Sequence, residues 1–492
     1  MTSSRCPFLD WAASGGMALT GFADGALVAS PAGSFRMLRQ VTEDLAAVTR
    51  AIGHEVRADP AELIAGRAAL AGFTRQGQVS AGGATRLLRA ADGWCAVTLS
   101  READVAAVPA LLGILGIDAA LVAEVPPADA TGSTAPASTA TAWPALTQAA
   151  LARPAAEVAD AAQLLGIPAA VLPAEPPSHQ TAPWPPWRTT RIAAPSSTAR
   201  LDGAVVADLS AMWAGPLCAR LLGLAGAQVI KIESPDRPDG ARSGDQRFYD
   251  WLHAGHKSVS FPFRTDPARA ALSSLLASAD VVIESSRPRA LAGLGVAPGM
   301  IPHKPGQVWL SITGHGRDEP DRVAFGDDAA VAGGLVGWTA DGWGQGEPVF
   351  CADAIADPLT GVCGALAVAR SLAAGGGELI DLPMRAVAAN FAAATVSWPA
   401  HGEHELRPGH RECHPDGPGL RPDGTVFSDG TVFSDGTVFP DGTVWCAALG
   451  RAQRVLPPRA PAAAPRAAAL GADTEAVLAW LGPGLRLGRP PR

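Results

Sequence analysis

Short apolar runs alternate with helical stretches between residues 203 and 313, and this alternation limits the fold more than any other feature of the sequence. Four runs are typical of buried strands, namely GAVVADLS, AQVIKIE, DVVIES and GQVWLSIT. The stretches PLCARLLGLAG and ARAALSSLLASA between them are typical of helices. Because strands that alternate with helices pair in parallel, the pattern predicts an α/β domain built on a parallel sheet.

Two stretches rich in proline, alanine, serine and threonine divide the rest of the chain, which has 492 residues and is long enough for two or three domains. The first, at 126–144, is predicted to be an exposed loop. The second, at 173–200, is predicted to be a linker, because its many prolines remove backbone donors. The predicted divisions are therefore 1–172, the linker 173–200, a large domain at 201–400 and a C-terminal region at 401–492.

The composition favours a folded, cytoplasmic protein. Hydrophobic residues make up 48% and charged residues 17% of the chain, which is enough to bury a core. The net charge of −8 argues against a protein that coats nucleic acid. The most apolar window, 108–125, carries Asp118 and Glu124, so we predict no membrane span. The seven cysteines show no CxxC spacing and the first 16 residues lack a signal-peptide pattern, which favours a reduced compartment.

The chain contains two kinds of internal repeat. Four hexapeptides of the form DGTVF or DGTVW with a preceding residue fill 422–445. Their Asp-Gly steps are turn signals, but the strands between them are too short for a stable meander, so we interpret them as a low-complexity expansion of one hairpin. The segment 12–25 resembles the segment 329–342, which indicates that the N-terminal region holds a partial copy of the later part.

The segment PVFCADAIADPLTG, residues 348–361, places Asp353 and Asp357 among small and apolar residues. Buried carboxylates are costly unless they are paired, hydrogen-bonded or used in chemistry. Asp357 precedes the helical stretch TGVCGALAVARSL, so it is either a helix cap or a reactive carboxylate at a helix start. The matching part of the N-terminal copy, ALVASPAG, contains no acid, so only the later copy can use one.

Six motifs occur in order between residues 203 and 400: D-L-S with A-G-P, G-A-x-V-I-K-I-E, K-S-V, A-D-V-V-I-E with R-P, S-I-T-G and A-D-P-L-T-G. Together they resemble the family III CoA-transferases, which include formyl-CoA and carnitine CoA-transferases and the α-methylacyl-CoA racemases. The resemblance implies a Rossmann-like large domain with a parallel sheet, a smaller α+β domain and an interlocked homodimer.

The order of the segments departs from that family. Residues 85–113 and 161–173 resemble the family's small domain, which follows the large domain in its members but precedes it here. We therefore interpret 1–172 as a degenerate partial copy that supplies a small domain to a rearranged chain. The end of the chain, at 469–482, resembles the closing helix of the family.

The resemblance also implies a chemistry. In the family, a carboxylate attacks an acyl-CoA thioester and forms an anhydride, and the released CoA then forms a thioester with the enzyme before a second carboxylic acid takes over the CoA. Asp357 matches the nucleophile by its motif position, whereas Asp353 is expected to be a hydrogen-bonding acid. The substrates would be an acyl-CoA and a carboxylic acid, with no tightly bound cofactor.

Several positions match the family's CoA site, where phosphates need cations and backbone donors. These candidate contacts are Trp213, Ala214, Lys257, Arg264, Ser285, Ser286, Arg287 and Arg322. One departure concerns the residue after V-I-K-I-E, which is Ser234 here and Arg in many members, so that Arg237 is a candidate substitute.

Two other functions stay open at this point. A racemase needs a His and Asp pair, but Asp327 occupies the position of that His, which argues against racemisation. A non-catalytic CoA-binding homologue is the other alternative, since the chain is rearranged. We predict no metal site, because the His and Cys residues at 401–414 fit no standard spacing. The glycines of AAGGGELIDL are expected to form a turn after a helix.

Overall fold

The structure is a computed structural model that describes residues 6–28, 32–117, 137–340, 344, 346–396, 431–433, 436–438, 442–446 and 451–482. The helices are α1 (Pro7–Ala13), α2 (Ala32–Ile52), α3 (Pro60–Ala71), α4 (Glu102–Ile114), α5 (Ala137–Leu151), α6 (Ala155–Leu164), α7 (Ala214–Leu224), α8 (Gln246–His253), α9 (Asp266–Ser278), α10 (Pro288–Gly293), α11 (Gly326–Ala332), α12 (Ala356–Ala373), α13 (Met384–Val396) and α14 (Thr474–Leu481). The strands are β1 (Thr85–Arg89), β2 (Trp94–Thr98), β3 (Ala169–Val171), β4 (Arg188–Arg191), β5 (Val205–Asp208), β6 (Gln228–Glu233), β7 (Lys257–Ser260), β8 (Val281–Glu284), β9 (Val308–Thr313), β10 (Gly337–Trp338), β11 (Pro348–Val349), β12 (Glu378–Pro383), β13 (Thr431–Phe433), β14 (Gly436–Val438), β15 (Thr443–Cys446) and β16 (Arg451–Arg454).

A seven-stranded sheet is the centre of the fold, with the strand order β4-β12-β9-β8-β5-β6-β7. All neighbouring strands pair in parallel except β4, which is antiparallel to β12. The strands β5, β6, β8 and β9 lie where the apolar runs predict them, and their residues are almost all buried. The predicted α/β fold with a parallel sheet is therefore confirmed. The carboxyl ends of the parallel strands meet at one edge, where ligands bind in open α/β sheets.

The edge strand β4 lies inside the proline-rich stretch 173–200 that the sequence predicts to be a linker. The residues of β4 contain no proline and are exposed, which suits an edge position. Arg188 and Arg191 of β4 pair with Asp381 and Glu378 of β12 at 3.0 and 3.5 Å. The stretch thus contributes a strand to the sheet, and its role as a domain boundary stays a prediction.

The N-terminal helices share the main core with the helices that cover the sheet. Leu38 and Leu45 of α2 are buried in one cluster with Leu366 of α12 and Phe391 of α13. Arg370 of α12 pairs with Asp44 of α2 at 2.7 Å, near the surface. Burial of this apolar stripe attaches the N-terminal segment to the large domain, because each buried Leu contributes about 1.5–3 kcal/mol.

A smaller unit lies beside this core and has its own apolar cluster. It combines the antiparallel sheet β1-β2-β3 with the helices α4, α5 and α6. Thr98 of β2 donates a hydrogen bond to Asp328 of α11 at 3.0 Å, which ties the unit to the large domain. The arrangement matches the smaller α+β domain that the resemblance implies, while the division at residue 172 stays a prediction.

The C-terminal segments contact two different parts of the fold: β15 and β16 lie against α1, and α14 lies against α9 and β7. The strands β13 to β16 form an antiparallel sheet in chain order. The hexapeptide strands therefore do pair as a meander, although we expected them to be too short. They are supported because β15 gains a longer partner in β16, which lies outside the repeat. Helix α14 buries Val477 and Leu478 in the cluster beneath β7 and α9. Asp473 accepts a hydrogen bond from the backbone of Ser258 at 2.8 Å, which fixes α14 to the edge strand β7.

Two absences apply to the described ranges. None of their helices has the length and apolar character needed to cross a membrane. They also contain no group of three or more His, Cys, Asp or Glu side chains that could hold a metal ion. The His and Cys residues at 401–414 lie outside the described residues.

Two helical glycines give a matched test of the packing between α7 and α12. A Cβ atom at Gly361 of α12 would lie 2.8 Å from the carbonyl oxygen of Ala214 and 2.9 Å from Leu217, whereas one at Gly113 of α4 would meet nothing within 4 Å. Gly361→Ala should lower the free energy of unfolding by about 1–3 kcal/mol through overpacking. Gly113→Ala should raise it by about 0.5–1 kcal/mol through helix propensity. Urea denaturation of both variants measures the two changes, and equal effects would contradict the close contact.

Candidate active site

The two aspartates of the acidic segment lie at the start of α12, in a tightly held turn. Ala352 and Ala354 flank Asp353 with φ angles of 53° and 41°, in the left-handed region that non-glycine residues rarely adopt. The backbone of Ala352 donates to the hydroxyl of Thr20 at 3.1 Å, and the backbone of Ala354 donates to Asp327 at 3.1 Å. Surrounding contacts therefore hold a strained loop, which is typical of functional sites.

Asp357 lies in the first turn of α12 and is not its cap. The N-cap position belongs to Ile355, which makes no side-chain cap bond. The side chain of Asp357 instead accepts a hydrogen bond from the backbone N–H of Ala214, at the start of α7. Asp357 keeps part of its surface exposed, whereas Asp353 is almost fully buried. The N-termini of α7 and α12 thus both lie near the carboxylate of this partly exposed residue, and their dipoles favour negative charge there.

Gly326 allows Asp357 to lie close to α11. A Cβ atom at this position would lie 2.2 Å from Oδ2 of Asp357 and 2.5 Å from the carbonyl oxygen of Ala354. Any side chain at residue 326 would therefore displace the carboxylate or its loop. Glycine is the residue that permits this approach.

Arg67 of α3 brings a positive charge to this group of acids. Its Nη1 atom lies 3.0 Å from Oδ1 of Asp353. Its guanidinium group also lies 5.2 to 5.8 Å from the ring centroids of Phe73, Trp213 and Phe248. Aromatic rings at these distances attract a cation and limit its movement.

Two further acids come from the start of α11. Asp327 accepts hydrogen bonds from Thr85 of β1 at 3.3 Å and from the backbone of Ala354. Asp328 is fully buried and accepts from Thr98 and from the backbone of Phe325, both at 3.0 Å. Asp327, which the resemblance places at the position of the racemase His, thus holds the loop before α12.

Burial raises the pKa of every carboxyl group in this cluster, because the charged form loses water. The pKa of Asp357 rises to about 7, with Asp327 and Asp353 adding to the rise and Arg67 opposing it. The pKa of Asp353 rises to about 6 for the same reason, again opposed by Arg67. Burial raises the pKa of Asp328 to about 8. Such shifts, combined with a shared location, are characteristic of catalytic acids and bases.

The structure brings some of the predicted CoA contacts to the carboxyl edge of the sheet near Asp357. Trp213 and Ala214 begin α7, directly after β5. Ser285 follows β8 and accepts a hydrogen bond from the backbone of Ala211 at 3.3 Å. The backbone of Ser286 donates to Glu284, and Arg287 begins α10 next to it. These residues therefore lie together beyond the carboxyl ends of β5 and β8, on the side of the sheet where Ala214 approaches Asp357.

The other predicted contacts lie elsewhere. Lys257 is the first residue of β7 and therefore lies at the amino ends of the parallel strands, opposite to their carboxyl ends. Arg264 follows the carboxyl end of β7, is highly exposed and pairs with Asp236 at 3.6 Å. Arg322 is engaged with Asp160 of α6 and with Glu319. Arg264 and Arg322 are therefore surface cations with partners, and Lys257 lies at the amino end of its strand, away from Asp357.

Three cations lie near Arg287, and the sequence analysis named only one of them, Arg237. Arg101, Arg237 and Arg289 all act electrostatically on Arg287, whose pKa is lowered mainly by burial and further by these three neighbours. Arg289 directly follows the R-P motif formed by Arg287 and Pro288, Arg237 was a candidate substitute, and Arg101 belongs to the small unit. Arg67 was missed for the same reason, since nothing in its local sequence indicates a partner 286 residues away.

The fold and site together define an α/β protein with a carboxylate centre at the carboxyl edge of its parallel sheet. Residues 201–482 match CoA-transferase family III. This match covers more than half of the chain, which therefore belongs to CoA-transferase family III.

The curated relatives are CoA-transferases that match part of the chain. Succinyl-CoA–D-citramalate CoA-transferase of Chloroflexus aurantiacus is 30% identical over 37% of this chain and 48% of its own length. Succinate–glutarate CoA-transferase of Agrobacterium fabrum is 28% identical over 45% of this chain and 60% of its own length. Formyl-CoA:oxalate CoA-transferase of Escherichia coli is 28% identical over 33% of this chain and 41% of its own length. The chain thus spans about half the length of the relatives it matches.

Two solved structures show a partial likeness. Rv3272 of Mycobacterium tuberculosis is 27% identical, with a TM-score of 0.36, over 40% of this chain and 56% of that one. A CAIB/BAIF family protein from Brucella suis is 27% identical, with a TM-score of 0.35, over 46% of this chain and 62% of that one. Because these TM-scores are low, the fold assignment rests on the sheet topology described above.

Proposed function

We propose that this protein transfers CoA from an acyl-CoA to a carboxylic acid, with Asp357 as the nucleophile. The observation that carries the proposal is the placement of Asp357, a partly exposed residue in the first turn of α12 whose carboxylate lies near the N-terminus of α7. A nucleophile must be reachable by the thioester carbonyl, and the neighbouring backbone N–H of Ala214 can stabilise negative charge as it develops. The family of the chain and its relatives support the same reaction.

The reaction proceeds in four balanced steps. The Asp357 carboxylate attacks the thioester carbonyl, so that a C–O bond forms, the C–S bond breaks and CoA leaves as the thiolate. The thiolate attacks the aspartyl carbonyl of the anhydride, which gives an aspartyl-CoA thioester and releases the first acid. The second carboxylate attacks this thioester and expels the thiolate again. The thiolate then attacks the acyl carbon of the new anhydride, which yields the product acyl-CoA and restores Asp357.

The CoA phosphates require cations at the mouth of the site. Arg101, Arg237 and Arg289 all act electrostatically on Arg287, although Arg101 also pairs with Asp104 at 2.6 Å and Arg289 with Asp321 at 3.0 Å. Such a concentration of positive charge is relieved when an anion binds. We assign the phosphates of CoA to this cluster, in which Arg287 is the contact predicted from the sequence. The homodimer that the resemblance implies and the cytoplasmic location that the composition and cysteine spacing favour both stay predictions.

Covalent trapping tests the function. The protein is incubated with a panel of acyl-CoAs and then treated with hydroxylamine, which converts an activated carboxyl group into a hydroxamate. For any acyl-CoA that is turned over, peptide mass spectrometry should locate the modification at Asp357. The variant Asp353→Asn is the matched control, since it keeps Asp357 and should still be labelled.

Three outcomes would count against the proposal. A label on another residue would assign the nucleophile elsewhere. Acyl-CoA binding without any label or turnover would favour the non-catalytic homologue. Exchange of the α-proton of a 2-methylacyl-CoA without transfer would favour the racemase.

A further inference from the structure

Arg67 reaches the site from a part of the chain outside the segment that matches the family. It belongs to α3, whereas the match begins at residue 201. Its Nη1 atom contacts the carboxylate of Asp353. The side chain of Arg67 is 29% exposed, whereas that of Asp353 is only 2% exposed. The partner is thus buried, whereas the arginine keeps part of its side chain exposed.

The position of Arg67 is fixed by more than one ion pair. Trp213 and Phe248 stack edge to face with ring centroids 5.3 Å apart and flank the guanidinium group. Trp213 directly precedes Ala214, whose backbone donates to Asp357. Arg67 therefore contacts both the loop before α12, through Asp353, and the loop before α7, through Trp213.

Two negatively charged neighbours surround Asp357, and Arg67 supplies a positive charge that compensates them. Asp353 lies on the loop before α12 and Asp327 lies on α11, and both repel a negative charge on Asp357. Arg67, on α3, is the cation that acts on all three carboxylates. Like charges held close together cannot all ionise unless a cation compensates them.

We propose that Arg67 is a positioning residue for the transfer reaction: it neutralises Asp353 and so leaves Asp357 as the carboxylate that reacts. This inference rests on the function proposed above. Asp357 attacks with a lone pair, which requires that its proton has left, and a neighbouring guanidinium favours that loss. Arg67 itself touches no reacting atom and acts through Asp353 and the local charge.

The pH dependence of kcat/KM tests this role, with an acyl-CoA that the wild-type protein accepts. The acid limb of this profile is the fall in kcat/KM at low pH, where Asp357 becomes protonated. Arg67→Gln should move the midpoint of that limb to a pH higher by about one unit or more, because the compensating charge is lost. Arg67→Lys keeps the charge and should restore most of the wild-type profile. Asp353→Asn removes a repelling charge and should move the limb downward, in the direction opposite to Arg67→Gln.

These opposite shifts separate a positioning role from a merely structural one. A structural defect would lower the rate at every pH and leave the limb in place, and that result would overturn the proposal. If Arg67→Gln does not fold, the downward shift of Asp353→Asn decides the question. Hydroxylamine labelling of wild-type Asp357 is run alongside. If Asp357 is labelled but the acid limb does not move in the variants, only the role of Arg67 is refuted. If another residue is labelled, the proposed function is refuted.

Discussion

Asp357→Asn should lower the rate of CoA transfer by a factor of roughly 10³ or more, which is the scale of removing a covalent nucleophile. Asparagine keeps the size of the side chain and an oxygen that can accept from Ala214, but it cannot form the anhydride. Binding of acyl-CoA should persist, because the proposed phosphate contacts lie on α10 and the neighbouring loops. Steady-state kinetics and calorimetric titration with CoA measure the two effects. The exposed control Asp24→Asn should change neither.

The same substitution should also stabilise the folded protein above neutral pH. The pKa of Asp357 is about 7 in the folded state and about 4 in an unfolded chain. The folded state therefore holds this proton more tightly, so the stability of the wild type falls as the pH rises from about 4 through 7. Asparagine has no proton to lose, so the gain in melting temperature should be greatest at pH 8 and vanish near pH 4. Full turnover by Asp357→Asn would reject the mechanism whatever its stability.

The sequence predicted most of the main sheet because burial and strand propensity are local properties. The runs that became β5, β6, β8 and β9 need no distant partner to be recognised. β4 was missed because prolines surround it, and its place depends on Arg188 meeting Asp381, 193 residues away. The meander β13 to β16 was missed because each hexapeptide alone is too short to be stable.

The acidic loop could also be predicted, but its partners could not. Asp353 and Asp357 stand out as acids among apolar residues, whereas Thr20 and Arg67 look ordinary in their own segments. Thr20 belongs to the N-terminal copy, at 12–25, and accepts a hydrogen bond from the backbone of Ala352 in the later copy. The similarity between the two copies thus pointed to a segment that contacts the site, although the pattern could not show the contact.

Lys231 is a third residue whose role the sequence concealed. It lies in the strand AQVIKIE, whose other central residues are apolar, and only 1% of its side chain is exposed. Its Nζ atom lies 2.9 Å from Asp239 and 3.6 Å from Asp208, and it donates to the carbonyl oxygen of Ser210. Asp239 in turn accepts from the backbone of Met212 at 3.0 Å, in the loop that leads to Trp213 and Ala214.

Lys231→Met should therefore lower the free energy of unfolding by about 3–5 kcal/mol, because removal of one partner leaves buried carboxylates without compensation. The control Lys304→Met breaks a half-exposed pair with Asp280, at 2.6 Å, and should cost about 1 kcal/mol or less. Urea denaturation at pH 7 measures both. A loss of similar size in the two variants would show that burial of the Lys231 pair is unimportant.

The pH dependence of the Lys231→Met variant gives the sharper result. Without the lysine, the pKa values of Asp208 and Asp239 should both rise, since burial is then opposed only by their hydrogen bonds. The folded variant would bind more protons than the unfolded chain, so its deficit relative to wild type should shrink toward pH 5 and grow toward pH 8. Adding Asp239→Asn to Lys231→Met should recover part of the stability at pH 8. It should not restore transfer to the wild-type rate, because the loop that presents Ala214 to Asp357 would still lack the charged network that holds it.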